Sequence, residues 1–356
     1  MAREERSHVR KRRRGCMGGC LTKIVLLLGM AALLFVGAHV LGFVKSNPVT
    51  GAPELSFEQI DLSKIQQGFE NLDLSGLEGV KDSIYSGVSE GIGSVTALAG
   101  GAKLPAWAYG VSREGLTVKT LRAGEGEAVL VCCDGYTMLV GGGSGMGVSI
   151  AGQLLLCGVN HLNVAIAPTN EQAQIYGLPL AMTLMQPDYL LYQDCQTKNT
   201  AVNRMLETAQ KNGKTQLIAP QQGLTFSLGR ATVTVIGPAH RVHTDERDDS
   251  LSLRVDYGAT SVLIMGGATA NGEREMLTSG ANLRADALIC ARGGSAEATS
   301  SAFAAKVSPK IALMTGKEPA NSVKVTLQRV GAQVYTTAEH GVMTLVSDGQ
   351  TISIRE

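Results

Sequence analysis

The chain has 356 residues, 44% hydrophobic and 18% charged, a composition that excludes a disordered chain and can furnish one large core or two modest ones. Its formal net charge of +1 is unevenly spread: residues 1–45 hold nine Lys/Arg and two Glu, residues 46–111 three Lys and eight acids, and residues 112–356 twenty Lys/Arg and twenty-one acids. The long carboxyl-terminal part is therefore nearly neutral, which argues against a nucleic-acid backbone as its partner.

Residues 1–23 form a basic tail, with Arg10, Lys11, Arg12, Arg13 and Arg14 in one run. Residues 24–44, IVLLLGMAALLFVGAHVLGFV, contain no Asp, Glu, Lys or Arg. As a helix this stretch would reach roughly 32 Å, enough to cross the hydrocarbon core of a bilayer. Basic flanks stay in the cytoplasm, so the bulk of the chain is expected outside the cell membrane on a single-pass anchor. The apolar stretch is longer than the core of a signal peptide, and no A-x-A site follows it, which favours an uncleaved span.

Residues 45–111 are expected to form a stalk. Phe57, Ile60, Ile65, Phe69, Leu72, Leu77 and Val80 recur at steps of three to five, a pattern of short amphipathic helices interrupted at Gly68, Gly76 and Gly79. A surface spacer accounts for this pattern, with self-association as the sharper alternative.

From residue 112 the pattern becomes strands alternating with helices. LTVKTLR, AVLVCC and YTMLVG read as successive strands, the last two joined at Asp134-Gly135, a tight-hairpin signal. A Gly-rich turn then opens a helix at SIAGQLLLCG, LNVAIAP reads as a buried strand, and Glu171–Met185 and Thr197–Asn212 read as helices. Strands follow at TQLIA, GLTFSL, ATVTVIG, LSLRVDYG and SVLIMGG, with a hairpin at Gly258. The remainder alternates Asn271–Ser279 (helix), ADALICA, a helix through Phe303, KIALMTG, Ser322–Val330 (helix), AQVYTT and closing strands. The seven cysteines include no CxxC pair, and Cys132, Cys157 and Cys290 sit in apolar runs, where a thiol behaves as a small buried hydrophobe.

Several strings in this order carry a resemblance. TLRAGEGEAVLV (Thr120–Val131), Leu139–Gly143, GVNHLNVAIAPTNEQAQIYGL (Gly158–Leu178), LIMGGA (Leu263–Ala268) and ADALICARGGS (Ala285–Ser295) are similar to FLDVGQGDAILI, LIDGG, GVxxLDxLILTHxHxDHIGGL, LLTGDA and ADVLKVPHHGS. The chain thus resembles the metallo-β-lactamase-like domain at the end of bacterial competence (DNA-uptake channel) proteins, over about 240 residues. The resemblance implies an α+β fold, a four-layer αββα sandwich at residues 112–356. It also implies a zinc centre in the family at large, held by imidazoles and carboxylates that generate a hydroxide near neutral pH.

Those ligands are not kept. The family's HxHxDH positions fall on Thr169, Glu171, Ala173 and Gln174, its bridging aspartate on Gly267, and its second histidine pair on Arg292 and Gly293. The aspartates of the opening strand and of LIDGG fall on Arg122 and Gly141. Of the four HxHxDH positions only Glu171 could bind a hard cation, and a guanidinium at Arg292 opposes a dication. No cofactor is therefore expected. The family pocket would be lined by Thr169, Glu171, Gln174, Gly267, Arg292 and Ser295, suited to a small polar ligand or a partner protein, unless Glu171 and Arg292 pair across a collapsed site.

Two other motifs compete. His240, His243 and Asp245 in GPAHRVHTDERDD have metal-ligand spacing, although such clusters are commonly solvated turns. GGGSGMG (141–147) has the look of a dinucleotide loop but lacks the Walker Lys-Ser/Thr. The sequence favours an extracytoplasmic pseudo-hydrolase acting as a binding or scaffold domain near the envelope or DNA-uptake machinery. The alternative is a divergent metal-dependent hydrolase, esterase- or phosphodiesterase-like, with an unrecognised site.

Overall fold

In the computed structural model the described residues are 114–355, apart from 125, 145–146, 195–198 and 241–244, together with 44–46 and 53–55. The chain divides into two compact units, Met1–Gly68 and Phe69–Glu356. In the first, β1 (Val44–Ser46) pairs antiparallel with β2 (Pro53–Leu55). These strands flank the junction of the expected span and stalk, Val44 of the span lying in β1, and precede the segment whose periodicity predicts helices. The rest of that span and the periodic part of the stalk lie outside the described residues. No helix among the described residues is long and apolar enough to cross a membrane.

The second unit runs β3 (Leu116–Thr120), β4 (Val129–Cys133), β5 (Tyr136–Val140), α1 (Gly147–Leu156), β6 (Val164–Ile166), α2 (Gln172–Ile175), α3 (Leu178–Met185), β7 (Tyr189–Leu191), α4 (Thr200–Asn212) and β8 (Gln216–Ile218). It continues through β9 (Thr225–Leu228), β10 (Ala231–Gly237), β11 (Ser252–Tyr257), β12 (Thr260–Ile264), α5 (Ala270–Thr278), β13 (Ala287–Ile289), α6 (Ser301–Val307), β14 (Ile311–Met314), α7 (Asn321–Arg329), β15 (Gln333–Thr336), α8 (Thr337–His340), β16 (Thr344–Ser347) and β17 (Ile352–Arg355).

Two mixed sheets result, ordered β17-β16-β3-β4-β5-β6-β7-β8 and β15-β14-β13-β12-β11-β10-β9. Antiparallel hairpins build one side of each sheet, and parallel strands β5 to β8 and β12 to β15 the other. Parallel neighbours need a crossover, and helices supply it after β5, β6, β7, β12, β13 and β14.

Side-chain alternation separates three cores. Val118, Val129, Val131 and Met138 of the first sheet meet Val233, Leu253, Val262 and Ile289 of the second. The opposite face of the first sheet, Leu130, Cys132 and Leu139, packs on Leu154, Met182 and Met205 of its helices. The opposite face of the second, Leu263, Leu288 and Ala312, packs on Met276, Phe303 and Leu327. Helices, sheet, sheet and helices therefore form four layers, consistent with the expected metallo-β-lactamase-like sandwich. β3, β4 and β12 are buried along their whole length; β4 (VLVCC) is the unbroken apolar run expected of a strand covered on both faces, whereas β3 and β12 also bury Thr117, Lys119, Thr120, Thr260 and Ser261. The hairpin at Asp134-Gly135 has φ of 49° and 88°, the paired left-handed conformation such a two-residue turn requires.

The helix expected over Glu171–Met185 is two helices. Gly177 interrupts it by donating its N–H to Gly142 O at 3.1 Å, an approach so close that a Cβ there would stand 2.2 Å from that oxygen. Pro179 then starts α3, where its missing N–H costs nothing. Asn199 caps α4, its side chain accepting from the N–H groups of Ala201 and Val202 at 3.0 and 3.1 Å. Cys132, Cys133, Cys157 and Cys290 are free and buried.

Candidate functional site at the carboxyl ends of the parallel strands

The segments leaving β5, β6, β12, β13 and β14 carry Gly141–Gly143, Thr169–Gln174 (the last three residues in α2), Gly266–Gly267, Arg292 and Thr315. The carboxyl ends of parallel strands are where α/β sheets place their ligand crevices, and here the loops of both sheets meet. Thr169 is buried, 1% exposed. Its Oγ1 accepts from the Glu171 N–H at 3.0 Å, and its methyl lies against Gly267 so tightly that a Cβ on Gly267 would stand 2.3 Å from Thr169 Cγ2. The Gly267 N–H in turn donates to Ser250 Oγ at 2.8 Å.

Glu171 and Arg292 are paired. Arg292 Nη1 donates to Glu171 Oε2 at 2.7 Å, and Nη2 lies 3.4 Å from Oε1. Arg292 occupies the left-handed region with φ of 52°, uncommon for a residue with a side chain, and its N–H is fixed by Gly266 O at 2.8 Å. The pair continues outward: Arg292 Nε lies 3.3 Å from Glu297 Oε2, Arg247 Nη1 donates to the same oxygen at 2.8 Å, and Arg247 Nε reaches Asp245 Oδ1 at 2.8 Å. The neighbouring guanidinium holds the Asp245 carboxyl below its usual range.

The structure thus brings Thr169, Glu171, Gly267 and Arg292 together. Ser295 sits beside them, donating its N–H to Arg292 O at 3.2 Å while its Oγ accepts from the Glu297 N–H at 3.3 Å. Gln174 is buried and has a different task, since its Oε1 accepts from the Glu127 N–H at 3.0 Å. His240 is exposed, His243 lies outside the described residues, and Asp245 is engaged by Arg247. Glu246 beside it is exposed, whereas Asp248 is buried and its Oδ1 accepts from Thr269 Oγ1 and from the Gly272 N–H at the start of α5.

A metal does not fit this donor set. At the position that the sequence resemblance matches to a bridging carboxylate, a side chain on Gly267 would collide with Thr169. At the second histidine position, a Cβ on Gly293 would meet Gly316 N at 2.4 Å, and at Gly141 it would meet Glu127 O at 2.3 Å. Between them Arg292 holds a fixed cation on Glu171. Among the described residues no three His, Cys, Asp or Glu side chains form a metal-binding group.

The glycine-rich loop is likewise committed. The N–H groups of Gly141, Gly142, Gly143 and Ser144 donate to Ile166 O, Gln174 O, Glu127 O and Ala123 O at 2.7–3.1 Å, so these amides cannot cradle a phosphate.

Arg247 sits in the polar run GPAHRVHTDERDD, and Glu297 is an exposed residue, so neither stands out in the sequence as a member of the crown. Glu127 is completely buried, accepts from Thr315 Oγ1 at 3.1 Å, and has its carboxyl pushed up to about 8 by burial, which the Thr315 hydrogen bond only partly offsets. Its only advance signal was an acid inside the apolar string GEGEAVLV.

No family model matches the chain, and no curated protein matches it. Similar solved structures include YhfI of Bacillus subtilis, a metallo-β-lactamase-fold protein, at 16% identity over 68% of this chain and 100% of that one, with a TM-score of 0.43. A metal-dependent hydrolase of the β-lactamase superfamily is similar at 12% identity over 65% and 100%, TM-score 0.45. Igni18, a metallo hydrolase of the archaeon Ignicoccus hospitalis, is similar at 14% identity over 67% and 99%, TM-score 0.40.

Proposed function

We propose that the chain is a pseudo-hydrolase, a metallo-β-lactamase-like sandwich that serves as a binding or scaffold domain in place of hydrolysis. The observation that supports it most is the pair of contacts at the crown. Gly267 on Thr169 leaves no room for a bridging carboxylate, and Arg292 on Glu171 puts a permanent cation where a dication would stand. Loss of one ligand could leave a weaker metal site, whereas replacement of nearly all of them by Thr, Ala, Gln, Gly and Arg leaves zinc without the imidazole and carboxylate donors it needs. No cofactor is assigned.

The basic tail and the apolar stretch 24–44 support tethering to the cell membrane with the domain outside. There it would act beside the envelope or DNA-uptake machinery, on a protein or a small polar ligand. The nearly neutral domain makes nucleic acid itself a poor partner.

Elemental analysis of the full-length protein in detergent, after equilibration with zinc and with manganese, tests the reading together with assays on phosphodiester and carboxylic ester substrates. The expected result is no stoichiometric metal and no turnover. One equivalent of metal per chain, lost in Glu171→Ala and coupled to turnover, would establish the divergent hydrolase instead.

A further inference from the structure

Glu297 is the most exposed member of the crown network, 54% against 18% for Arg292 and 33% for Arg247, yet two guanidinia converge on one of its oxygens. They come from separate segments, Arg247 from the turn before β11 and Arg292 from the loop after β13. Each is oriented by a second acid that does not need Glu297: Asp245 accepts from Arg247 Nε at 2.8 and 2.9 Å, and Glu171 accepts from Arg292 Nη1 at 2.7 Å. The left-handed backbone at Arg292, where side-chain residues rarely sit, is part of that positioning. Glu297 fits between them imperfectly. It lies 3.3 Å from Arg292 Nε, but this buried N–H makes no hydrogen bond. A buried donor left without a partner is costly, and an exposed ion pair returns little, so Glu297 is a weakly held occupant of a well-formed fork.

We propose that the crown is a carboxylate-binding site in which Glu297 is the built-in competitor. A small carboxylic acid would replace the Glu297 carboxylate, accepting from Arg247 Nη1 and, with freedom to align that a tethered side chain lacks, from Arg292 Nε. Asp245, Glu171 and Glu297 face Arg247 and Arg292, so the set carries one excess negative charge, and release of Glu297 leaves it balanced. That balance suits a monocarboxylate better than a dianion. The inference rests on the crown being a binding site and not a hydrolytic one.

Acetate is the probe, titrated into the full-length protein in detergent with EDTA present and followed by saturation-transfer NMR, with acetamide as the uncharged control. Glu297→Ala should bind acetate at least tenfold tighter than the wild type, the gain should vanish in Glu297→Ala/Arg247→Lys, and acetamide should bind neither. Equal acetate affinity in the wild type and Glu297→Ala overturns the proposal, and so does a gain that survives Arg247→Lys. Far-UV circular dichroism establishes that each variant is folded, and the comparison of Glu297→Ala with the wild type decides the matter even if the double variant is not. Because EDTA strips metal, this result is independent of the metal and turnover measurements that test the pseudo-hydrolase reading.

Discussion

Replacing Gly267 by alanine adds one methyl group at the point where the two sheets' loops touch. Gly267 has no left-handed φ, so alanine is allowed by the backbone, and the cost must come from the neighbour. The new Cβ would stand 2.3 Å from Thr169 Cγ2, far inside van der Waals contact, while the next nearest atoms, Glu171 Oε2 and Ser250 Oγ, are at 3.6 Å. Thr169 is 1% exposed and anchored through Oγ1, so it cannot swing away freely. Overpacking of this kind costs about 1–3 kcal/mol. Thr169→Ser keeps the hydroxyl that accepts from the Glu171 N–H and removes only the clashing methyl, at a cost of about 1 kcal/mol for the lost apolar contact. The double variant should therefore lie about 1 kcal/mol below the wild type, well short of the sum of the single effects, a coupling of about 1–3 kcal/mol. Urea unfolding of the four proteins, read as midpoint shifts at constant slope, measures it. If Gly267→Ala is within about 0.5 kcal/mol of the wild type, or if the two substitutions simply add, the tight contact that closes the crown does not exist.

Glu171→Gln should destabilise by about 1 kcal/mol in the same assay, because it removes the nearest acid from a partly buried Arg292 while Glu297 remains beside it; no loss would show the pair to be idle. Glu127 predicts a pH dependence. Its carboxyl titrates at about 8 folded and near 4.5 unfolded, so between those values the unfolded chain releases a proton that the native state keeps, and stability falls as pH rises from about 4.5 to 8. Glu127→Gln retains an oxygen for Thr315 Oγ1 and should flatten that part of the profile measured by urea unfolding from pH 5 to 8.5; parallel profiles for the two proteins would refute the assignment. Asn199→Ala should cost about 1 kcal/mol through loss of the α4 cap, with Asn199→Asp restoring most of it, again by urea unfolding.

The amino-acid sequence by itself determined the strands, the hairpins and most helices of the large unit, because these depend on residues a few positions apart. An unbroken apolar run made β4, Asp134-Gly135 and Gly258 supplied the left-handed turns between partners, and Asn199 stood ready to cap α4. The resemblance read from it matches Thr169, Glu171, Gly267 and Arg292 to metal-ligand positions, an expectation that rests on the sequence alone. Only the tertiary structure decided what those residues do. Gly177 breaks a helical pattern because Gly142 approaches it from another loop, and Glu171 finds Arg292 across 121 residues. Arg247 and Glu297 join them although nothing in their own segments marks them, and Glu127 is buried so deeply that its carboxyl keeps its proton near neutral pH. The physical reason is range. Backbone preference and hydrophobic period act over a turn or a pleat, whereas a steric clash at 2.3 Å, a shared ion pair or a lost hydration shell exists only after both sheets have packed.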